Sequence, residues 1–377
     1  MNELGRIIAD RIRAGGAMTF EQFMKLALYH PEEGYYSSPD IRIGRDGDFF
    51  TSPHLHPSFG AVIAKQLLEM WQITGRPDQF SVVEMGAGAG YLCKDIMDYL
   101  LTTTKQNSSF IRALDYCIVE PFSHFKKLQK KTIGDYSADI NWFSSLNELS
   151  GITGCILSNE LLDAFSVHVI EMQDELKEIY VDYNGSEFTE QPDKLSNLLI
   201  HDYINLFSIA FPAGYRTEVN LQMKDWLHDV AKSLDSGFVM SIDYGYSNAE
   251  YYTPERSSGT LLCYYNHEYN NNPYQHIGSQ DMTAHVNFSA LKIWGEQLGL
   301  QTVGYASQGT FLVSAGIDEV ISELYSNPDE YTKNISQIKG LIMPQGMGES
   351  HRVMIQCKGI EVPALRGFAL KNQASLL

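Results

Sequence analysis

From residue 80 onward, short apolar runs alternate with stretches in which apolar residues recur every three or four positions. The runs have the length of buried strands and lie at 80–85, 115–121, 140–145, 154–160 and 237–245. Helical spacing is found at 89–101, 123–131, 193–208, 221–234 and 288–299. This alternation predicts an α/β fold with a doubly wound parallel sheet and helices on both faces. Further strands are predicted at 167–173, 177–183 and 351–359, the first two as a hairpin or as added strands.

Two regions fall outside this alternation. The first 75 residues are rich in Tyr and Pro, and residues 245–286 form a long polar and aromatic insertion. Loops of that length are usually functional or disordered, and we expect both regions to form a cap over the sheet. The predicted division is an N-terminal cap, a core with an insertion at about 165–220, a cap or substrate insertion, the rest of the core and a tail. The corresponding segments are 1–76, 77–244, 245–286, 287–360 and 361–377.

Polar residues cluster where the predicted strands end. They occur at Glu84 to Gly90, at Glu120, at Asn159 to Asp163, and at Asp243 to Gly245. In open α/β sheets, ligands bind beyond the carboxyl ends of the strands. The four clusters therefore predict one ligand site at one edge of the sheet.

The first cluster contains three alternate glycines, Gly86, Gly88 and Gly90, between a strand and a helix. Glycines there permit close approach of the backbone to a ligand, and the helix N-terminus favours an anionic group. The spacing E-x-G-x-G-x-G differs from the dinucleotide pattern G-x-G-x-x-G, because position 91 is Tyr. The loop thus favours a carboxylate over a pyrophosphate.

Glu120 ends the second strand, where a carboxylate can accept both ribose hydroxyls. An adenosine-containing ligand with an amino-acid tail, S-adenosylmethionine, fits these residues best. Its methionine carboxylate would bind the loop amides, and its ammonium group would lie near Glu84. A nicotinamide-dependent dehydrogenase is the weakest alternative, given the glycine spacing.

Composition narrows the classes of partner. The formal net charge of −18 argues against a general nucleic-acid or anionic-membrane surface. Five scattered cysteines without a C-x-x-C pair predict neither a disulfide framework nor a zinc site. The first 20 residues lack the pattern of a signal or transit peptide, and the longest apolar stretch, 195–211, is interrupted by polar residues. These features predict a cytoplasmic protein without membrane insertion or a bound metal.

Several blocks resemble the MidA-like family of class I S-adenosylmethionine-dependent methyltransferases. They are MTFEQFMKLALYHPEEGYY (18–36), GDFFTSP (47–53), VEMGAGAGYL (83–92), SNELLDAFSVHVIE (158–171), IDYGY (242–246), DMTAHVNF (281–288), SQGTFL (307–312) and MPQGMGESHRVM (343–354). The resemblance implies a Rossmann-like sheet and methyl transfer to an arginine of a protein substrate. Mitochondrial members are respiratory complex I assembly factors, which makes a respiratory-complex subunit one candidate partner.

One position departs from the family pattern. Asn287 stands where the block usually has Asp. If that acid caps the following helix, Asn serves nearly as well. If the acid is catalytic, the substitution bears on activity. We favour the cap.

Arginine is a poor nucleophile until carboxylates localise its charge and accept its proton. Glu160 and Asp163, in the block that resembles the acidic loop of protein arginine methyltransferases, are the first candidates. Asp243, with Tyr244, would form the opposite wall. His285 is a candidate substrate ligand or proton acceptor. For Asp163 and His285 a structural role stays an equal alternative, as a helix first-turn acid and a packed imidazole.

Other residues are expected to complete the cofactor site. Phe50 and Ser52 lie in a predicted lid, with Phe50 over the adenosine and Ser52 donating to the cofactor carboxylate. Asn159 would orient the cofactor or bind substrate. Two alternatives to arginine methylation stay open: a methyltransferase for another or a small-molecule substrate, and a cofactor-binding assembly factor with little turnover.

Overall fold

The computed structural model describes residues 1–38, 51–266, 268–325 and 328–377, except for the side chains of residues 104–107 and 328–330. The strands are β1 (Met18–Thr19), β2 (Phe80–Met85), β3 (Leu114–Val119), β4 (Ile140–Phe143), β5 (Ile152–Asn159), β6 (His168–Met172), β7 (Leu176–Tyr183), β8 (Phe188–Asp193), β9 (Arg216–Val219), β10 (Leu234–Tyr246), β11 (Leu262–Tyr265), β12 (Glu268–Asn270), β13 (Asp281–Thr283), β14 (Val286–Asn287), β15 (Gln301–Ser307) and β16 (His351–Lys358).

The helices occupy the intervening segments. They are α1 (Glu3–Gly15), α2 (Phe20–Tyr29), α3 (Ser52–Leu55), α4 (Ser58–Ile73), α5 (Tyr91–Thr102), α6 (Thr104–Ala113), α7 (Ser123–Ile133), α8 (Leu198–Leu206), α9 (Gln222–Ser233), α10 (Asn248–Tyr251), α11 (Phe288–Gln297), α12 (Gln308–Ala315), α13 (Ile317–Leu324), α14 (Pro328–Ile342) and α15 (Met347–Ser350). In the part of the chain that the structure describes, none of these helices combines the length and apolarity that a membrane span requires.

The chain divides into two compact units. Unit 1 comprises 1–49, 162–225 and 246–287, and unit 2 comprises 50–161, 226–245 and 288–377. The segment 1–76, predicted as one cap, contributes residues to both units. Each unit therefore contains stretches that are distant in sequence.

Unit 2 contains the sheet that the alternating pattern predicted. Its strand order is β15-β16-β10-β5-β2-β3-β4. β10, β5, β2, β3 and β4 pair in parallel, while β16 is antiparallel to both β10 and β15. The predicted α/β fold class is confirmed, and its sheet is mixed instead of wholly parallel. The difference arises because an apolar run indicates burial and not strand direction.

The core of unit 2 lies between this sheet and its helices. β10 contributes Phe238, Met240 and Ile242, which alternate along the strand as a pleated sheet requires. α4 is apolar on most of its surface and packs against α5. The strands that end in the polar residues are therefore packed on a buried core.

Unit 1 is built on antiparallel strands in the order β1-β7-β6-β9, with β8 paired to β7. The predicted strands at 167–173 and 177–183 are β6 and β7, which pair antiparallel. The helix predicted at 193–208 is shorter. Asp193 ends β8, residues 194–197 are not helical, and α8 spans Leu198–Leu206. Its N-cap is Asn197, whose side chain accepts a hydrogen bond from Leu199 N. A second sheet, β12-β11-β13, comes from the 245–286 insertion.

We expect Gly60→Ala to destabilise unit 2, because α4 and α5 cross closely there. A Cβ on Gly60 would lie 2.5 Å from Asp95 Cβ, so the helices would have to separate. Such overpacking costs about 1–3 kcal/mol. The loss of stability is measured as a lower midpoint of urea-induced unfolding, monitored by tryptophan fluorescence.

Gly15→Ala is the matched control, since Gly15 is exposed in α1 and nothing lies within 4 Å of its added Cβ. It should leave stability unchanged or raise it by about 0.5–1 kcal/mol through helix propensity. Equal effects of the two substitutions would contradict the crossing as the cause.

Candidate functional site

The polar strand ends of unit 2 meet at one edge because their strands pair in parallel and in register. Met85 of β2 lies opposite Val119 of β3 and Ser158 of β5. The glycine loop, Glu120 and Glu160 each follow those strands within two residues. The expectation from sequence that they face one site is therefore consistent with the topology.

The glycine loop turns tightly from β2 into α5. Gly86, Gly88 and Gly90 have φ angles of 73°, 50° and 88°, in the left-handed region that favours glycine. A Cβ on Gly90 would lie 3.2 Å from Gln129 Cα, so α7 can approach the loop only because that residue is glycine. At Gly88 nothing lies within 4 Å of an added Cβ. The loop thus leaves open space at its centre, beside the amide groups at the start of α5.

Glu120 is buried and held by two donors. Its Oε1 accepts from Phe122 N and its Oε2 from Gln129 Nε2, both at 2.9 Å. Gln129 Nε2 also donates to Gly88 O at 3.1 Å, so one amide joins the acid to the loop. Burial raises the pKa of Glu120 to about 7, against the opposing effect of these hydrogen bonds. Sequence reasoning missed Gln129, whose place in a basic helix gives no signal.

Glu84 is a buried acid of the site, with 2% of its surface exposed. Tyr116 OH donates to its Oε2 at 2.8 Å. Burial raises the pKa of Glu84 to about 7, although the Tyr116 hydrogen bond favours the charged form. The Glu84 carboxyl is thus a buried group whose charge changes near neutral pH.

Glu160 follows β5 in a strained backbone conformation. Its φ of 50° is unusual for a residue with a side chain and costs about 1–3 kcal/mol. Glu160 N donates to Ile242 O at 2.8 Å, which fixes the turn. Three groups face its Oε1: Ser52 N at 3.3 Å, Asn159 Nδ2 at 3.4 Å and His351 Nε2 at 3.5 Å. Strain at a fixed, largely buried carboxylate is typical of a functional position.

Two neighbours of Glu160 differ in how their polar atoms are used. Ser52 Oγ donates to Gln308 Oε1 at 2.9 Å, a contact that the sequence did not predict. Asn159 Oδ1 is buried and has no hydrogen-bond partner among the described residues. Asn159 therefore retains an acceptor for a ligand.

His351 was also missed, although it lies in the quoted block at 343–354. It begins β16 and pairs with Tyr244 of β10, and their rings meet edge to face at 5.4 Å. Its Nδ1 lies 3.0 Å from Ser350 Oγ. His54 is a further imidazole near Glu160: burial lowers its pKa, and the charge of Glu160 acts in the opposite direction.

Asp243 lies inside β10 and is 1% exposed. Its Oδ1 accepts from Tyr244 N at 2.9 Å, and its register partner in β16 is Arg352. Among the residues predicted as catalytic, Glu160 and Asp243 thus belong to unit 2.

Asp163 belongs to unit 1 and is 5% exposed. Its carbonyl accepts from Ala284 N at 2.9 Å. Burial, and then the charges of Asp281 and Asp163, raise the pKa of Tyr29. Tyr36 OH donates to Asp281 Oδ1 at 2.9 Å, so this part of unit 1 joins buried acids and tyrosines. Sequence reasoning missed Asp281, which begins the block DMTAHVNF (281–288).

His285 belongs to unit 1 as well. Its N–H donates to Thr260 Oγ1 at 3.0 Å, and its carbonyl accepts from Tyr251 OH at 3.1 Å. It lines a cavity of about 490 Å³, together with Glu190, Arg216, Glu218 and Arg256 among others. In the same unit Asn287 Nδ2 donates a hydrogen bond to Tyr203 OH at 2.9 Å. An aspartate at this position could not donate, because an ionised carboxylate only accepts hydrogen bonds.

Phe50 lies outside the described residues, and so does the part of the lid before it. Across the described ranges, three or more His, Cys, Asp or Glu side chains do not come together in a group that could hold a metal ion.

The residues of unit 2 fit an adenosine ligand that carries an amino-acid tail. Gly88 has open space over it, and Asn159 has a buried acceptor atom without a partner in the described chain. The Glu120 carboxylate and the start of α5 supply the acceptor and the donors that a ribose and a carboxylate require.

Comparison with known proteins supports this assignment. A family model described as "Putative S-adenosyl-L-methionine-dependent methyltransferase" matches residues 62–306. A crystal structure of a Burkholderia thailandensis protein bound to S-adenosyl-homocysteine has a TM-score of 0.88 and 29% identity, and covers 99% of this chain and 96% of that chain. A native structure of a protein from the same organism has a TM-score of 0.87 and 30% identity, with the same shares covered.

Curated relatives are similar over almost the whole chain. "Protein arginine methyltransferase NDUFAF7, mitochondrial" of Rattus norvegicus is 25% identical, covering 98% of this chain and 88% of the relative. Its Drosophila melanogaster homolog is 24% identical and covers 95% of this chain and 85% of the relative.

The predicted cytoplasmic location is contradicted, because these relatives are named as mitochondrial proteins. The prediction relied on the absence of a recognisable leader, and charge and hydropathy near the first residue do not determine compartment. The family is nevertheless clear, since its model spans more than half of the chain. The chain belongs to this family of S-adenosyl-L-methionine-dependent methyltransferases, and S-adenosyl-L-methionine is its cofactor.

Proposed function

We propose that this protein transfers a methyl group to an arginine side chain of a protein substrate. The observation that carries the proposal is Glu160, a strained and largely buried carboxylate at the same sheet edge as the glycine loop. The names of the relatives, which are protein arginine methyltransferases, support the same substrate class.

The proposed cofactor contacts follow from the donors and acceptors of unit 2. Glu120 would accept from the ribose hydroxyls, and the amides that open α5 would bind the carboxylate of the methionine moiety. Glu84 would compensate the ammonium group, and Asn159 would offer its buried Oδ1. We retain Ser52 and Phe50 as proposed lid residues. When bound, the cofactor supplies a methyl group on a positively charged sulfur.

The proposed work of the chain is to position and deprotonate the arginine. The Glu160 carboxylate would hold the guanidinium and draw its positive charge away from the attacking nitrogen. It would then accept the proton that this nitrogen loses, as a general base. We propose Asp243 as a second acid of the same site.

We further propose that the 245–286 segment binds the protein substrate. The segment lines the 490 Å³ cavity of unit 1 with polar groups, and His285 lies in its wall. Asp163 is proposed for substrate binding in this unit, near Tyr29, whose pKa its charge helps to raise. The resemblance to complex I assembly factors makes a respiratory-complex subunit our proposed substrate.

The decisive experiment identifies the product amino acid. Purified protein and tritiated S-adenosylmethionine are incubated with a protein extract. The extract comes from a strain of the source organism in which the gene for this protein has been deleted. We expect labelled methylarginine after acid hydrolysis and chromatography. Label in another amino acid or in a small molecule would contradict arginine as the acceptor, and cofactor binding without any label would favour the assembly factor.

Cofactor affinity should rise with pH. The pKa values of Glu84 and Glu120 are about 7, so both acids become ionised as pH increases through 7. The ionised Glu120 is the form that accepts from the ribose. We expect Kd to be about tenfold larger at pH 6 than at pH 8 for each linked proton. Calorimetric titration measures this, and Glu120→Gln should make the dependence shallower, leaving the part that is linked to Glu84. A pH profile unchanged in that variant would argue against Glu120 as the linked group.

Binding and transfer should be separable by two substitutions. Glu120→Ala should weaken S-adenosylmethionine binding by about 1–3 kcal/mol, through the loss of charge-assisted hydrogen bonds. Glu160→Gln should leave that affinity nearly intact and reduce transfer by about 100-fold. Calorimetry and methyl incorporation measure the two effects. Equal loss of binding in both variants would refute this division of roles.

A further inference from the structure

His351 approaches Glu160 in a defined geometry that the proposed mechanism has not used. The Nε2 atom lies 3.5 Å from Glu160 Oε1, and the two side chains are 8% and 10% exposed. This separation exceeds an ordinary hydrogen bond, so the contact is electrostatic in this structure. Little water screens it, which makes the orientation of the imidazole consequential.

The second ring nitrogen limits the protonation pattern of the imidazole. Nδ1 lies 3.0 Å from Ser350 Oγ, a hydroxyl that can donate or accept. A neutral imidazole carries one N–H, and a lone pair on Nε2 would be repelled by the carboxylate. The favourable tautomer therefore has its proton on Nε2, directed at Glu160, while Ser350 donates to Nδ1.

Both partners of this contact are held by the backbone. His351 is anchored as the first residue of β16 by its pairing with Tyr244, whose ring packs against it. Glu160 is fixed by its N–H bond to Ile242 O. β10 carries both Tyr244 and Ile242, so a single strand sets the distance between the acid and the imidazole.

We propose that His351 is a positioning residue for methyl transfer, and that its Nε2–H holds the Glu160 carboxylate in the orientation that receives the substrate proton. The inference rests on the proposed function. In the step it serves, the guanidinium nitrogen forms a bond to the methyl carbon as the carbon–sulfur bond breaks. The electron pair of that bond stays on sulfur, and the proton leaves nitrogen for Glu160.

A tautomer measurement tests the geometry without substrate. Long-range ¹H–¹⁵N spectra of protein labelled with ¹⁵N-histidine are recorded at a pH where the imidazoles are neutral, and His351 is assigned from the spectrum of His351→Gln. We expect the Nε2–H tautomer. The Nδ1–H tautomer would place a lone pair toward Glu160 and would overturn the proposal.

Transfer kinetics then test the role. His351→Ala should reduce methyl incorporation about 100-fold, while S-adenosylmethionine affinity by calorimetry stays within about threefold. His351→Gln, whose amide N–H can replace Nε2–H, should recover most of the loss. His228→Ala is the control, since His228 is an exposed histidine of α9.

The outcomes separate this inference from the function beneath it. If the wild-type protein transfers methyl groups and His351→Ala does so at the same rate, the positioning role is rejected and the proposed function stands. Equal loss of transfer and cofactor binding in both His351 variants would show a merely structural role. Absence of transfer by the wild-type protein would reject the proposed function and this role with it.

Discussion

The parallel register of β5 with β2 and β10 is the constraint on which the site depends. Main-chain hydrogen bonds set this register, and they bring Met85 level with Ser158 and Ile242 level with Asn159. A shift of one residue would turn the side chains of a strand to the opposite face. Glu160 can hold its left-handed turn only because Ile242 presents a carbonyl at that level.

Burial at this edge of the sheet imposes an electrostatic cost on the acids. Glu84 and Glu120 are almost fully buried, and burial disfavours their charged forms. Their donors, Tyr116 for one and Phe122 N with Gln129 for the other, offset that cost only in part. Near neutral pH these acids are poised between two protonation states, so a ligand with suitable donors can determine which state is populated.

The sequence predicted the strands and the edge of the sheet well, because both follow from local patterns. Apolar runs located β2, β3, β5 and β10, and the glycine spacing identified the type of loop. Strand direction was not predictable for β16, since its antiparallel pairing with β10 and β15 is a tertiary contact that an apolar run does not encode. The helix near 193–208 was overextended because helical spacing begins before the N-cap residue Asn197, in residues that are not helical.

Side-chain partners were predictable only where a strand end selected them. Glu84, Glu120 and Glu160 follow that rule, whereas Gln129 and His351 reach the site from α7 and β16. Their contacts depend on tertiary packing and leave no periodic signal. The roles of Asp163 and His285 stay predictions, and both residues belong to unit 1. A histidine at the start of a late antiparallel strand gives no local indication of its neighbours.

The position of β16 has a consequence for synthesis of the protein. β16 lies between β10 and β15 although it follows both of them in the sequence, so β10 and β15 cannot be joined before residues 351–358 emerge from the ribosome. His351 arrives with that strand. A nascent chain can therefore form the glycine loop and the Glu120 site long before the sheet is complete. The acid at the end of β5 therefore acquires its imidazole neighbour only when β16 joins the sheet.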